Sequence, residues 1–166
     1  MTVSSAEYLK SFYNTARALG NKSISSDAYL EIEGFEQLGL LTKQFPFPTL
    51  STAGEIEVAM PMGAAMWQPQ QLKINQQGQL GFSETVVGHI AKFLEDVVKG
   101  SKGGIFQATV YEGTPDRFHR AYKLRDCFFQ SDNPDRDWES RSQITLINGT
   151  LFFHFFGEKI PGNIPA

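Results

Sequence analysis

The sequence predicts an α+β fold: an antiparallel β-barrel or two-sheet sandwich with one central flanking helix and an extra helix at the N-terminus. Three observations predict it. Segments of alternating apolar and polar residues recur along most of the chain, and 14 phenylalanines fall largely inside them. Only two stretches carry helical periodicity. One of these lies between two runs of strands, which argues for a helix packed on an antiparallel sheet rather than for alternating βαβ units. At 166 residues the chain is expected to form a single domain over 1–166, large enough to bury a real core. Within it, residues 1–20 read as an N-terminal helical arm and residues 28–157 as a β-barrel core with a helix at 85–99.

In chain order, residues 5–19 read as the first helix. Ser4 and Glu7 have the spacing of a capping box, in which a hydroxyl and a carboxylate satisfy free N–H groups at the helix start. Tyr8, Leu9, Phe12, Tyr13, Ala16 and Leu19 recur at helical spacing, and Gly20 supplies a left-handed stop. An aromatic face of this kind needs something to dock on. Residues 21–27 are polar and read as a linker. In residues 28–34, Leu30 and Ile32 face one way and Glu31 and Glu33 the other. A less regular piece leads to residues 40–45. Phe45-Pro46-Phe47-Pro48 is excluded from a central strand, because proline has no ladder donor.

Residues 55–60 alternate again, with Ile56, Val58 and Met60 on one face. Residues 60–71 are uncharged, rich in Met and Ala, and carry Trp67, with no clean period. Residues 72–75 and 79–83 read as two strands around a Gln76-Gln77-Gly78 turn. Ser83 or Thr85 is expected to cap a second helix running to about Lys99. Its stripe is Val86, Val87, Ile90, Phe93, Leu94, Val97 and Val98, and Gly100 ends it. Residues 101–104 form a loop, and residues 105–111 a strand with Phe106, Ala108 and Val110 on one face.

The last 50 or so residues carry the strongest strand signals. A basic-aromatic strand over 118–129 runs into a polar break at 131–137. Strands over 140–147 and 150–156 follow, joined by Asn148-Gly149, whose residue types favour the positive φ angles of a type I′ hairpin turn. The strand Leu151–Phe156 is too apolar to stay a free edge, so this chain or a copy of it must cover it.

Composition narrows the function classes. A net charge of −3, with 41% hydrophobic and 20% charged residues, is ordinary for a soluble protein and gives no general attraction to nucleic acid or an anionic membrane. One cysteine, Cys127, excludes an internal disulfide framework and fits a reducing compartment. The start shows no signal-peptide pattern and no stretch reaches the ~18–20 apolar residues of a membrane helix. Folding in a cytoplasm is expected.

Sites for chemistry are scarce. The three histidines, His89, His119 and His154, lie on separate elements without zinc-ligand spacing. No phosphate-binding loop, dinucleotide fingerprint or nucleophile elbow occurs, so no cofactor, metal or catalytic residue is assigned. Cys127 and His119 share one strand at a separation of roughly 26 Å, which leaves only a distant histidine such as His154 for a thiolate mechanism. Glu31 and Glu33, with Glu55 and Glu57, line strand faces and read as solvated, or as the negative lining of a wall or channel. Arg120, Lys123, Arg125 and Arg141 are balanced by nearby acids that include Asp135 and Asp137. That mixture suits ion pairs fixing register between copies better than a phosphate footprint. Residues 60–71 read equally as a buried plug or as an adaptable contact surface.

The layout resembles the tail tube proteins of contractile-tailed bacteriophages and the related type VI secretion tube protein. Early strands lead to the Phe45–Pro48 kink, then to a long hairpin-like loop over 55–75. A strand feeds into the one central helix, and a strand pair, the polar break and a final hairpin follow. The resemblance covers residues 28–157. It implies a structural, non-enzymatic virion protein that forms hexameric rings, stacked into a tail tube for genome delivery. Sheath, baseplate and tail-terminator proteins would be its partners, DNA would pass without sequence-specific binding, and no membrane is involved. Carried over by position, Met60, Met62, Met66, Trp67, Gln68 and Gln70 would contact the next ring. Arg120, Lys123, Arg125, Asp135, Asp137, Arg141, Phe153 and Phe155 would serve pairing within a ring. Glu31, Glu33, Glu55 and Glu57 would face the lumen. The helix at 5–19 departs from the pattern and leaves open a specialised baseplate or tube-initiating ring. The alternatives are a monomeric β-barrel that binds a small apolar molecule and a Cys127 hydrolase.

Overall fold

A computed structural model of the chain describes residues 5–165. Its elements in order are α1 (Ala6–Ala18), β1 (Tyr29–Ile32), β2 (Thr42–Gln44), β3 (Glu55–Ala59), β4 (Ala65–Pro69), β5 (Asn75–Ser83), α2 (His89–Lys99), β6 (Phe106–Gly113), β7 (Phe118–Ser131), β8 (Leu146–His154) and β9 (Lys159–Pro161), with short 3-10 helices at Glu36–Leu41 and Pro61–Gly63. All strand pairs are antiparallel.

The architecture turns on β7, which belongs to two sheets. Its first half pairs with β6 on one side and β9 on the other, and its second half pairs with β8. Between the halves, Asp126 adopts a left-handed φ of 46°, and the register with β8 shifts between Arg125 and Phe128. Such a bulge bends the strand and lets it cross from one layer to the other. The Gln107 side chain holds the bend, donating to Asp126 Oδ1 at 2.8 Å and accepting from the Asp126 amide at 3.1 Å. The order β1-β6-β7-β8-β5-β2 stays open at both ends. The protein is therefore a two-sheet sandwich rather than a closed barrel.

Strand alternation fills the space between the layers. Leu30 and Ile32 of β1, Phe106, Ala108 and Val110 of β6, Leu80 and Phe82 of β5, and Leu151 and Phe153 of β8 are all buried. From α2, Ile90 and Phe93 enter the same core. Phe93 meets Phe35, Phe82 and Phe106 edge-on, with ring centroids 4.9, 6.2 and 5.6 Å away. Each such pair adds about 0.5–1.5 kcal/mol beyond burial. Packing of this kind makes one contiguous core between the layers.

Helix α2 begins later than its apolar stripe predicts. Gly88, at φ 84°, interrupts the helix, so Val86 and Val87 lie exposed in the preceding turn. Thr85 Oγ1 does accept from the His89 amide at 3.3 Å. The stronger cap is Glu84, whose carboxylate accepts from the amides of Ile90 and Ala91 at 3.1 and 2.9 Å. A charged acceptor at a helix start satisfies orphan donors and complements the helix dipole. In α1, Ser5 is the cap, its hydroxyl accepting from the Tyr8 amide at 3.3 Å. Ser4, predicted for that role, lies outside the described residues.

Two predicted turns are straight strand. Asn148-Gly149 lies inside β8, paired with Gly81 and Leu80 of β5, so the expected closing hairpin does not exist. Glycine is needed at 149 for a different reason: a Cβ there would collide with the carbonyl oxygen of Gln130 and lie 2.7 Å from Ser131 Cα. Likewise Gln76-Gln77-Gly78 lies within β5, where a Cβ at 78 would strike the Pro46 ring. In both cases glycine marks close backbone approach instead of a turn. The strand predicted over 140–147 begins only at Leu146, and β9 carries no alternation from which to read it.

Candidate assembly surfaces

The segment over 60–71 folds as the outer half of a hairpin. β3 and β4 pair from Glu55↔Pro69 to Ala59↔Ala65, and backbone bonds continue the ladder at the base, from Gln70 N to Gly54 O and from Ala53 N to Gln71 O, both 2.9 Å. Register puts Glu57 opposite Trp67 on one face, and Val58 opposite Met66 on the other. Neither face is buried: Ile56, Met60, Met66 and Trp67 are all exposed, Trp67 at 71%. Gln68 and Gln70 are exposed beside them, with Gln70 Nε2 donating to Glu55 O at 3.1 Å.

At the tip, Met62 holds a left-handed φ of 64° with its side chain wholly in solvent. Non-glycine residues adopt that conformation at a cost of order 1–2 kcal/mol. A long apolar side chain set there, touching nothing, is what a contact surface requires. The six residues expected to meet the next ring thus share one protruding hairpin.

A second apolar surface is α1. Every residue from Ser5 to Asp27 is exposed, and α1 buries no side chain. Tyr8 and Phe12 pack edge-on at 4.7 Å and both stay more than half exposed. The aromatic face predicted to dock is present, and among the described residues nothing buries it.

Two of the charged residues expected to pair within a ring, Arg120 and Arg125, find acids of their own chain, whereas Lys123 stands beside Arg125 in a groove. Arg120 Nε lies 2.8 Å from Glu112 Oε2. Arg125 makes a two-pronged contact with Glu158, 2.9 and 2.7 Å long, which ties the start of the β9 segment to β7. That guanidinium holds the Glu158 carboxyl below its ordinary range, mainly by direct hydrogen bonding. Glu112 is among the acids that the sequence sets against these basic residues, whereas Glu158 was missed because it lies 33 residues from Arg125. Asp135, Asp137 and Arg141 are exposed in the loop between β7 and β8, with Trp138 at 97% exposure. Phe153 and Phe155 require a correction. Both are buried in the core, so the apolar strand is covered by this chain and their side chains do not face a neighbour.

The four acids expected to line a lumen separate into two places. Glu31 and Glu33, with Glu36, edge a groove on the outer face of the first sheet, opposite Lys123 and Arg125. Burial, then Glu36 and Asp116, raises the Glu31 carboxyl above its usual range. Glu55 and Glu57 stand on the hairpin instead.

Reactive chemistry finds no support at Cys127. The side chain is buried, and burial, then the Asp126 charge, pushes the thiol up to about 12. A nucleophilic cysteine needs the thiolate. Among the described residues no group of His, Cys, Asp and Glu is arranged to hold a metal ion, and no helix is long and apolar enough to cross a membrane.

No family model and no curated protein matches the chain. Solved structures do. A chain of the sheath–tube complex of an extracellular contractile injection system, PVC, in its extended state superposes with a TM-score of 0.57 at 14% identity, covering 88% of this chain and 95% of that one. A chain of the PVC sheath/tube terminator gives 0.55 at 13% identity over 86% and 97%. A chain of the six-fold symmetrised baseplate of the anti-feeding prophage gives 0.57 at 7% identity over 87% and 99%. These similarities show a shared fold.

Proposed function

We propose that this chain is a structural subunit of a contractile-injection-type tail, a non-enzymatic protein that closes into hexameric rings and stacks into, or caps, a tube. The observation that carries the reading is the β3–β4 hairpin. It exposes Ile56, Met62, Met66 and Trp67 on a regularly paired hairpin, and a lone monomer has no use for them. The fold shared with tube, terminator and baseplate assemblies supports it. Stable ring contacts need about 1,000 Å² or more, and repetition round a ring multiplies contacts that are weak singly. Sheath, baseplate and terminator proteins are the proposed partners within a tail particle assembled in a host cytoplasm. DNA or another cargo would pass through the lumen without sequence-specific contacts.

A specialised ring at one end of the tube is the second reading. It is favoured by similarity to terminator and baseplate chains as close as that to the sheath–tube chain, and by the added helix α1. Size exclusion with light scattering, and negative-stain microscopy of the same fractions, tests both. Long stacked tubes are expected for the repeating subunit and single rings for the specialised one. A monomer at every concentration, also when mixed with the other tail components, would overturn both.

A further inference from the structure

Two exposed surfaces of this chain are apolar and opposite in charge. Residues 5–27, comprising α1 and its linker, hold Lys10, Arg17 and Lys22 against Glu7 and Asp27. Residues 53–71, comprising the hairpin, hold Glu55 and Glu57 and no basic residue. On α1, Tyr8, Leu9, Phe12 and Tyr13 form one face, and Lys10 and Arg17, two turns or about 10 Å apart, lie on the same flank of it. On the hairpin, Glu55, Glu57 and Trp67 share a face. The dimensions agree as well: thirteen helical residues span about 20 Å, and five paired strand residues about 17 Å.

Within one copy the two surfaces do not cover each other, since α1 and its linker are exposed throughout. We infer that α1 of one copy lies along the β3–β4 hairpin of another copy, with Lys10 and Arg17 against Glu55 and Glu57 and the Tyr8–Tyr13 face against Trp67. This rests on the self-assembly proposed above. Residues 20–27 lie exposed along a groove beside Glu112 and Arg120 and would span about 25 Å when extended.

The rival surface on the chain is the loop bearing Trp138. Its four acids, Asp132, Asp135, Asp137 and Glu139, outnumber Arg136 and Arg141 by two, the same excess as the hairpin carries, but it presents no regular strand over residues 132–145 against which a helix could lie. Each α1 side chain offers on the order of 100 Å², so a single helix falls short of the ~800 Å² per partner of a stable interface. The contact holds through repetition round a ring, and α1 acts as a latch between subunits.

Charge reversal tests it. The parent is compared with Lys10→Glu/Arg17→Glu, with Glu55→Lys/Glu57→Lys, and with the chain carrying all four changes. The readouts are the midpoint concentration for assembly by light scattering and the particles seen in negative stain, with circular dichroism as the fold control. Each pair alone is expected to raise the midpoint about tenfold, and the four-change chain to return near the parent value. Mixing a Tyr13→Cys chain with a Trp67→Cys chain under mild oxidation should give a cross-linked heterodimer. An assembling parent whose midpoint the reversals leave unchanged or lower, or raise without rescue in the four-change chain, would overturn the latch and leave the ring-subunit reading standing. Absence of the heterodimer would do the same. Helix-dependent binding to phosphatidylglycerol vesicles without effect on assembly would overturn it in favour of a lipid surface. A parent that never assembles would overturn the latch together with the reading beneath it.

Discussion

The sandwich and the hairpin are both antiparallel β-structure, yet they treat apolar residues in opposite ways. In β5, β6 and β8 the apolar positions alternate into a shared interior, and Leu80, Phe82, Val110 and Leu151 are almost wholly buried. In β3 and β4 the pairing is equally regular, but Ile56, Met66 and Trp67 remain open to solvent. α1 behaves like the hairpin. The difference separates the part of the sequence that folds this chain from the part that awaits another molecule. Burial of apolar area stabilises the first by roughly 25 cal/mol per Å². The second gains that energy only on association.

Substitutions should divide the same way. Phe93→Ala, which empties the meeting point of four aromatic rings, is expected to lower stability by about 3–5 kcal/mol, read by denaturant unfolding. Gly149→Ala should cost about 1–3 kcal/mol through the clash with the neighbouring strand. A type I′ turn at that position would also resist alanine, but β8 predicts that Asn148, whose side chain is exposed, can be replaced by Thr with little loss. Cys127 gives a pH-dependent test of the core. Its thiol has a folded pKa raised to about 12 from 9.0, so its contribution to stability is full below about pH 9 and declines toward pH 12. The slope is about 1.4 kcal/mol per pH unit across that window. Cys127→Ala should remove that slope. Alkylation of the folded protein at pH 8 should be negligible, and rapid once it is unfolded.

The appendages should give much smaller changes in stability and larger ones in assembly. Met62→Gly relieves the left-handed strain at the tip and should leave the monomer slightly more stable, by about 0.5 kcal/mol, while weakening stacking. Met66→Ser with Trp67→Ser should shift unfolding by less than about 0.5 kcal/mol and abolish tubes. A collapse of the fold in that double variant would place the hairpin with the core and erase the distinction.

The sequence revealed what depends on period. Alternation located the buried faces of β1 and β6, and helical spacing located α1 and the Ile90–Phe93 side of α2. Features set by tertiary contact were not legible. Glycines 78 and 149 look like turns to a local reading, because their dipeptide context cannot show that Pro46 and Gln130 press against them. Val86 and Val87 extend the apolar stripe of α2, but the cap formed by Glu84 starts the helix only after them. The partner of Arg125 lies 33 residues away, beyond any local pattern. For the candidate surfaces, an uncharged run rich in Met and Trp drew attention to 60–71. Only the pairing with β3 reveals two exposed faces on one hairpin.

Hydrogen exchange across a range of protein concentrations tests the division most directly. Amides of β5 and β8 should be protected equally in dilute and concentrated samples, because the chain supplies all their cover. Amides of α1 and of Glu55–Ala59 and Ala65–Pro69 should exchange quickly when dilute and gain protection as assemblies form. If those segments exchange at the same rate at every concentration while assemblies form, they are not the surfaces that join the copies, and the account fails.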